Sequence, residues 1–300
     1  MDYELSHGDY DDILENASQP QKASTTRLSP EDFAAKKKAQ REAVYSMVEQ
    51  TTMAVASDGQ QFQAYLDLQA RLENYSVNNG LLILAQCPGA TQLRDFDGWK
   101  SKGAMVKRGQ RGISILEPGK QYTTADGRIG TYYEVKSVFD ITQTNAAVSG
   151  RKPTYDNRTM AAALIAKRPV PIELVDRLSA GASYDSVNKK IVVQRGMDFN
   201  SMFCCVSGAL AKAEIHLHGG NPDTPAASFQ AYCASYMMCK KYDLDVIRYN
   251  FSSLPDCMSA PTKEVRRELN HLRDLFKTMT VRMDRSLSQP HRSAPNQEAR

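Results

Sequence analysis

The stretch FCCVSGALAKAEIHLHGG, residues 203–220, indicates the architecture of the second half of the chain. It is a largely apolar run with small residues in it, and it closes with two histidines and two glycines. Glycine commonly ends helices, so the pattern predicts a buried helix that stops near Gly219-Gly220. SYDSVNKKIVVQ, residues 183–194, predicts strand, turn and strand before it, and ASFQAYCASYMMCKKYDL, residues 227–244, predicts a second buried helix after it.

Helices are also predicted elsewhere in the chain. Ser29-Pro30-Glu31-Asp32 is typical of a helix start, with serine as N-cap, proline at the first helical position and acidic residues in the first turn. A break at Ser57-Asp58-Gly59 separates that helix from the next. The remaining predictions rest on apolar periodicity, and the predicted helices cover about 29–56, 60–74, part of 75–91, 158–168 and 261–286.

Residues 91–144 have a different pattern. GISIL at 112–116 and TYYEVKSVFDI at 131–141 are β-type runs, and Asp126-Gly127 between them predicts a hairpin turn. Residues 145–158 lack periodicity and contain Gly, Pro and Ser, which predicts a linker. The whole is predicted to be an α+β protein of two domains. We expect residues 1–28 to be disordered and residues 29–148 to form a first domain. We expect residues 158–286 to form a mostly helical second domain and residues 287–300 to be a disordered tail.

The composition fits a globular protein outside the membrane. Of the 300 residues, 41% are hydrophobic and 24% charged, and no apolar run reaches the roughly 18 residues of a membrane span. The first 20 residues hold six acids and no Lys or Arg, unlike a secretory signal, so we expect a cytoplasmic protein. Cysteines without CxxC spacing predict reduced, buried thiols, and the six are Cys87, Cys204, Cys205, Cys233, Cys239 and Cys257.

The segment WKSKGAMVKRGQRGISIL, residues 99–116, combines cations with an aromatic residue. Lys and Arg can neutralise phosphates, and an indole face can stack on a base. This favours nucleic-acid binding. Two alternatives stay open: Gly109 and Gly112 could be turn glycines among solvated charges, and Trp99 could be a core residue. The cations of the segment are Lys100, Lys102, Lys107, Arg108 and Arg111.

A longer series of spaced residues resembles a known family. The series runs from Tyr75-Ser76-x-Asn78-Asn79 through Leu81-Leu82-Ile83-Leu84-x-Gln86-x-Pro88-x-Ala90-Thr91 and Trp99 to Gly103-x-x-Val106-Lys107-x-Gly109-x-x-Gly112-Ile113 and Val138-Phe139-Asp140-Ile141-x-Gln143-Thr144. Its order and spacing resemble the N-terminal domain of ArdC-type antirestriction proteins and their LtrC-like relatives. That family occurs on plasmids and conjugative elements, and the resemblance implies a domain that binds single-stranded DNA.

The resemblance and the charge pattern together give a set of predicted contacts to nucleic acid. Asn78 and Asn79 are expected at a helix start, where amides could bond a phosphate or a base edge. Lys107 and Arg111 match family positions around the two turn glycines. The predicted binding residues are Tyr75, Asn78, Asn79, Trp99, Lys100, Lys102, Lys107, Arg108 and Arg111.

In the second half the resemblance is weaker and points to a zincin-like metallopeptidase domain. There a helix carries His-Glu-x-x-His, whose histidines at i and i+4 grip zinc with the glutamate as general base, and the next helix supplies a further ligand. The resemblance places Ser207 and Ala211 at the histidine positions and Gly208 at the glutamate position. Gln230 and Tyr232 stand where relatives have glutamates. We therefore expect a pseudoenzyme without metal, cofactor or catalytic residues.

Two other functions remain open from the sequence. A displaced zinc site could involve His216 and His218, with Asp223, Cys204 or Cys205 nearby in sequence, and would make the chain an active metallopeptidase. Alternatively, the chain could be a protein-interaction scaffold that does not bind nucleic acid. A protein partner for the second domain is compatible with either case. The favoured interpretation is an accessory protein of a mobile element that binds single-stranded DNA without sequence preference.

Overall fold

The computed structural model describes residues 29–124, 126–147 and 153–288. It is mixed α and β, as predicted. Of the described residues, those from 41 onward belong to one compact unit, and residues 29–40 belong to another. The helices are α1 (Pro30–Ser57), α2 (Gly59–Arg71), α3 (Val77–Gln86), α4 (Phe96–Ser101), α5 (Asn157–Ile165), α6 (Phe199–Leu217), α7 (Pro225–Lys241) and α8 (Thr262–Leu287). The strands are β1 (Leu93–Arg94), β2 (Ile113–Thr123), β3 (Ile129–Asp140), β4 (Ile172–Val175), β5 (Ala182–Asp185) and β6 (Lys190–Gln194).

Side-chain caps set the starts of helices α1 to α7, whereas α8 begins after Pro261 without one. The Ser29 hydroxyl accepts a hydrogen bond from the Asp32 N–H at 3.1 Å, which confirms the predicted start of α1. The Asp58 carboxylate accepts from two N–H groups of α2, so the break at 57–59 is the cap of the second helix. The other side-chain caps are Ser76 for α3, Asp95 for α4, Asp156 for α5, Asp198 for α6 and Thr224 for α7.

The first sheet has the strand order β1-β3-β2 and is antiparallel. The β2–β3 hairpin was predicted, but its strands extend further than expected, to Thr123 and back from Ile129. The two-residue strand β1 and the short helix α4 were not predicted. Helix α3 lies against the free edge of β2, where Asn79 and Gln86 hydrogen-bond to the strand backbone.

The second sheet has the order β4-β6-β5, in which β4 and β6 are parallel and β5 and β6 antiparallel. The strand–turn–strand prediction for 183–194 is confirmed by β5 and β6. Helix α6 lies on this sheet, and α7 packs against α6 and also against α2. The second sheet and helix α7 therefore pack against α6, the helix that contains Ser207 and Ala211.

One cluster of buried apolar side chains includes residues from both sides of the predicted linker. Phe62 of α2 contacts Phe229 of α7 with ring centroids 5.5 Å apart, and the Tyr236 hydroxyl donates to Asp67 at 2.6 Å. The division into domains at 148–158 stays a prediction. The disorder predicted for 1–28 and for the end of the tail lies outside the described residues, and α8 continues to Leu287. Within the described ranges, no helix combines the length and apolar character of a membrane span.

Candidate nucleic-acid interface

A cleft of about 810 Å³ lies between the start of α3, the β1–α4 segment and the β2–β3 hairpin. Among the residues that line it are Tyr45, Tyr75, Tyr133, Asn78 and Arg94. Tyr133 is 43% exposed. Aromatic faces and amides are the groups that hold unpaired bases, whereas a paired duplex presents neither free faces nor free pairing edges.

Tyr75 lines this cleft, and its phenol can donate a hydrogen bond. Burial raises its pKa, and the nearby Glu117 carboxylate raises it further, against a smaller opposite effect of Arg94. The hydroxyl therefore remains protonated at neutral pH. It can donate to a phosphate or to a base oxygen without taking a charge into the cleft.

Two carboxylates line the same cleft, and both are engaged. The Asp95 carboxylate caps α4 by accepting from the Gly98 N–H at 2.7 Å. Glu117 forms an ion pair with Lys136 at 2.8 Å across the hairpin. Both charges are therefore partly compensated, while Arg94 is exposed on the wall with its guanidinium 5.8 Å from the Trp99 ring. The cleft thus carries one exposed cation, Arg94, beside two carboxylates that each have a partner.

The exposed turn that contains Lys107, Arg108 and Arg111 is held by the short 3₁₀ turn Ile141–Gln143. The Lys107 N–H donates to the Gln143 carbonyl at 2.9 Å, and the Lys107 ammonium donates to the Thr142 carbonyl at 3.1 Å. The Gln143 side chain donates to the Arg111 carbonyl at 2.8 Å. Gly109 has φ +80, which glycine adopts readily, so it is a turn glycine.

The carboxylate of Asp140 fixes that 3₁₀ turn to the sheet. It accepts from the backbone N–H groups of Thr91, Gln92 and Thr142, and from the Thr142 hydroxyl. Burial alone would raise the pKa of Asp140, but these hydrogen bonds to the charged form outweigh it and lower the pKa. The basic turn is therefore positioned by a buried, ionised carboxylate.

Lys100 and Lys102 lie at the end of α4 and are exposed. Helix α4 begins at the cleft, since Asp95 and Gly98 line it. All five predicted cations are therefore at the surface, as expected for groups that contact phosphates. Whether they contact nucleic acid stays a prediction.

For Trp99 the structure favours the core alternative over stacking. The side chain is 3% exposed and packs with Ala104 and Ile141, and its indole N–H donates to the Phe139 carbonyl at 2.8 Å. Because the ring face is covered, it cannot stack on a base in this conformation. Trp99 instead joins α4 to the end of β3.

Asn79 also makes contacts within the protein, and because it lines the cleft as well, its contact to nucleic acid stays a prediction. It is buried, its amide oxygen accepts from the Leu116 N–H at 2.8 Å, and its amide nitrogen donates to the Leu116 carbonyl at 2.9 Å. Both ends of the amide are therefore used within the protein. Its neighbour Asn78 is half-buried and faces the cleft, so it keeps the predicted role as a candidate contact.

Other residues of the cleft were not found from the sequence. Tyr45, Arg94, Tyr133 and Asn270 come from four distant parts of the chain and meet only in the folded protein. The one local signal for Tyr133 is its place in an aromatic pair, Tyr132-Tyr133, within a strand: successive strand residues point to opposite faces, so one of the two had to lie away from the core.

The helix that the resemblance aligns with a zinc helix is present as α6, and its residues do not fit a metal. The Ser207 hydroxyl donates to the Cys204 carbonyl at 3.0 Å and lies 2.7 Å from the Ser235 hydroxyl. Ala211 is fully buried and has no donor atom. On α7, the Gln230 amide donates to Glu268 at 2.8 Å, and the Tyr232 hydroxyl accepts from the Asn250 N–H at 2.6 Å.

The two histidines at the end of α6 bind different partners. His216 Nδ1 lies 2.8 Å from the Tyr184 hydroxyl, and His218 Nδ1 lies 2.8 Å from the Glu214 carbonyl of its own helix. Asp223 accepts from the Ser186 hydroxyl at 2.7 Å. In residues 29–124, 126–147 and 153–288, no three His, Cys, Asp or Glu side chains are grouped as metal ligands. The structure therefore does not bring together the residues that a displaced zinc site would need.

Comparison with known proteins gave matches in structure only. No family model and no curated protein matches the chain. Two crystal structures of the antirestriction protein ArdC from plasmid R388 are similar to it, each with 12% sequence identity. The metal-free structure covers 70% of this chain and 86% of its own, with a TM-score of 0.48. The Mn(II)-bound structure covers 70% of this chain and 87% of its own, with a TM-score of 0.49. ArdC-type antirestriction proteins are also the family that the motifs of residues 75–144 resemble.

Proposed function

We propose that this chain binds single-stranded DNA without sequence preference, through the cleft and the basic turn next to it. The observation that carries the proposal is a cleft lined by tyrosines and amides, together with five exposed cations in the segment that leads from α4 to β2. The tyrosine faces would stack on successive bases, which is tolerant of sequence because every base has a π-face. The cations would neutralise phosphates and release counterions.

We further propose that the second half of the chain is a metallopeptidase-like scaffold without catalytic activity. The residues at the metal positions support this, since Ser207, Gly208 and Ala211 offer one hydroxyl between them and that hydroxyl is bonded within the protein. The scaffold could also offer a surface to a protein partner. The motif resemblance supports a cytoplasmic, accessory or antirestriction-like role on a mobile element.

Charge reversal of the basic turn tests the proposal. In the variant Lys107→Glu/Arg108→Glu/Arg111→Glu, we expect the affinity for a fluorescent single-stranded oligonucleotide to fall by at least about tenfold at low salt. A matched control reverses three exposed cations of the second half, Arg177→Glu/Lys189→Glu/Lys263→Glu, and changes the net charge by the same amount.

Fluorescence anisotropy of both variants and the unmodified protein gives the result. A loss confined to the basic-turn variant supports the proposed interface. An equal loss in both variants would assign binding to net charge alone and would contradict a defined site. Circular dichroism of each variant excludes unfolding as the cause of a loss.

A further inference from the structure

Two thiols of the second half lie in direct contact across the α6–α7 packing. Cys204 Sγ of α6 and Cys239 Sγ of α7 are 3.3 Å apart. Cys204 is 5% exposed and Cys239 is fully buried. Neither thiol takes part in the proposed binding of nucleic acid, and ordinary core packing does not require two cysteines to face each other.

Small residues stand at positions that the resemblance aligns with the zinc helix, and they explain why the two thiols can meet. Ser207 and Gly208 on α6 face Ser235 on α7, whose hydroxyl reaches the Cys204 carbonyl at 2.7 Å. A Cβ on Gly208 would lie 3.9 Å from the Ser235 Cβ. Cys204 lies about one turn from Ser207, and Cys239 lies one turn from Ser235 on the facing helix. The close approach of the helices therefore brings the two sulfur atoms together.

The two thiols differ in solvent exposure and in pKa. Cys204 lines a cleft of about 320 Å³ with Cys205, Gly208, Arg248 and Tyr249. A hydrogen bond from the Cys239 thiol lowers the pKa of Cys204, although burial raises it, and the Tyr249 hydroxyl and Arg248 lower it further. The same hydrogen bond and burial raise the pKa of Cys239. Cys204 is thus the more readily ionised and the more accessible of the two.

We propose that Cys204 and Cys239 form a thiol pair that a peroxide oxidises to a disulfide between α6 and α7. In the first step the Cys204 sulfur attacks one oxygen of hydrogen peroxide. An S–O bond forms, the O–O bond breaks, and the other oxygen leaves as water with the thiol proton, so that Cys204 becomes a sulfenic acid.

In the second step the Cys239 sulfur attacks the sulfur of the sulfenic acid. The S–S bond forms, the S–O bond breaks, and the hydroxyl leaves as water with the Cys239 proton. Two thiols and one peroxide thus give one disulfide and two waters. The sulfur atoms must approach by about 1.3 Å from their 3.3 Å contact to reach the length of an S–S bond. A reducing thiol reverses the modification by exchange.

Mass spectrometry of the full-length protein tests the pair. Reduced protein is treated with hydrogen peroxide, alkylated in denaturant and digested without reduction, using trypsin with chymotrypsin. We expect two of the six cysteines to resist alkylation and one cross-linked pair of peptides to contain Cys204 and Cys239. Trypsin leaves Cys204 and Cys205 on one peptide, so fragment spectra and the variant Cys205→Ser assign the linked sulfur.

Variants separate the two steps. Cys239→Ser should stop at a sulfenic acid on Cys204, which dimedone labels, whereas Cys87→Ser, which removes a thiol of the first half, should oxidise like the unmodified protein. A cross-link through Cys205 or Cys233 would overturn the assignment. Full alkylation of Cys204 and Cys239 after peroxide treatment of the unmodified protein would overturn the proposal, and this result does not depend on the folding of any variant.

Discussion

The side-chain amide of Asn79 hydrogen-bonds to both backbone polar groups of Leu116, at 2.8 Å and 2.9 Å. Gln86 makes the same pair of bonds with Ser114, at 2.9 Å and 3.0 Å. Strand β2 is an edge of its sheet, and these two amides satisfy the groups that a further strand would otherwise pair. The spacing of seven residues places both amides on one face of α3, opposite two alternate residues of the strand.

Replacement of Asn79 by alanine should therefore destabilise the fold. The variant Asn79→Ala leaves a buried N–H and a buried carbonyl without partners, and we expect the free energy of unfolding to fall by about 1–3 kcal/mol. Urea denaturation measures it. The control Asn78→Ala, at a half-buried residue, should change the free energy of unfolding by no more than about 0.5 kcal/mol. Equal effects of the two changes would contradict the docking role of Asn79.

The tyrosines of the hairpin provide a test of stacking. Tyr133 lines the cleft, while the adjacent Tyr132 packs on Tyr122 with ring centroids 4.2 Å apart. Tyr133→Ala should weaken binding of a single-stranded oligonucleotide by about 1–3 kcal/mol, the usual contribution of one stacked base. Tyr132→Ala should leave the affinity nearly unchanged. Anisotropy titrations compare the two, and a larger loss in Tyr132→Ala would move the binding surface out of the cleft.

The indole of Trp99 should matter for stability and not for binding. Trp99→Phe keeps an aromatic ring but removes the hydrogen bond to the Phe139 carbonyl. We expect the free energy of unfolding to fall by about 1 kcal/mol or somewhat more, since the carbonyl loses its partner. The affinity for single-stranded DNA, measured below the unfolding transition, should stay within about twofold. A large loss of affinity with unchanged stability would restore the stacking interpretation.

The buried carboxylate of Asp140 predicts a pH dependence of stability. Its pKa is lowered in the folded state, below the value of about 3.9 expected for an unfolded aspartate. Its stabilising contribution is therefore complete above that value and is lost as the pH falls through the folded-state pKa. Between pH 5 and pH 2, the free energy of unfolding should fall more steeply in the unmodified protein than in Asp140→Asn. Urea denaturation at several pH values checks this, and parallel curves would contradict it.

For the ion pair between Arg282 and Glu214, we expect removal of one partner to destabilise the fold more than replacement of both. Both side chains are largely buried, with 13% and 6% of their surface exposed. Arg282→Met leaves a buried carboxylate without its partner and should lower the free energy of unfolding by about 3–5 kcal/mol. The double variant Glu214→Leu/Arg282→Met should recover most of that loss, because no uncompensated charge remains. A double variant as unstable as the single one would contradict this account.

The sequence predicted those parts of the fold that are encoded locally. Ser29 marked a helix start, the break at Ser57-Asp58-Gly59 separated two helices, and Asp126-Gly127 marked the hairpin, because each acts on neighbouring backbone groups. The β1–α4 segment was missed because two strand residues and six helical ones are too short to show a periodicity.

The site was only partly predictable for a related reason. The exposed cations were recognised from composition. The direction of a side chain depends on distant contacts, however, and Trp99 and Asn79 turn inward to partners 40 and 37 residues away. The cleft itself joins residues from Tyr45 to Asn270, and no local pattern of the sequence contains it.

The most direct test of the central claim is the binding of the unmodified protein to a fluorescent single-stranded oligonucleotide and to a duplex of the same length, at about 50 and 200 mM salt. The account predicts tighter binding to the single strand, with an affinity that falls by about 20- to 130-fold over this range if three to five phosphates are neutralised. No binding at the lower salt concentration, or tighter binding to the duplex, would contradict it.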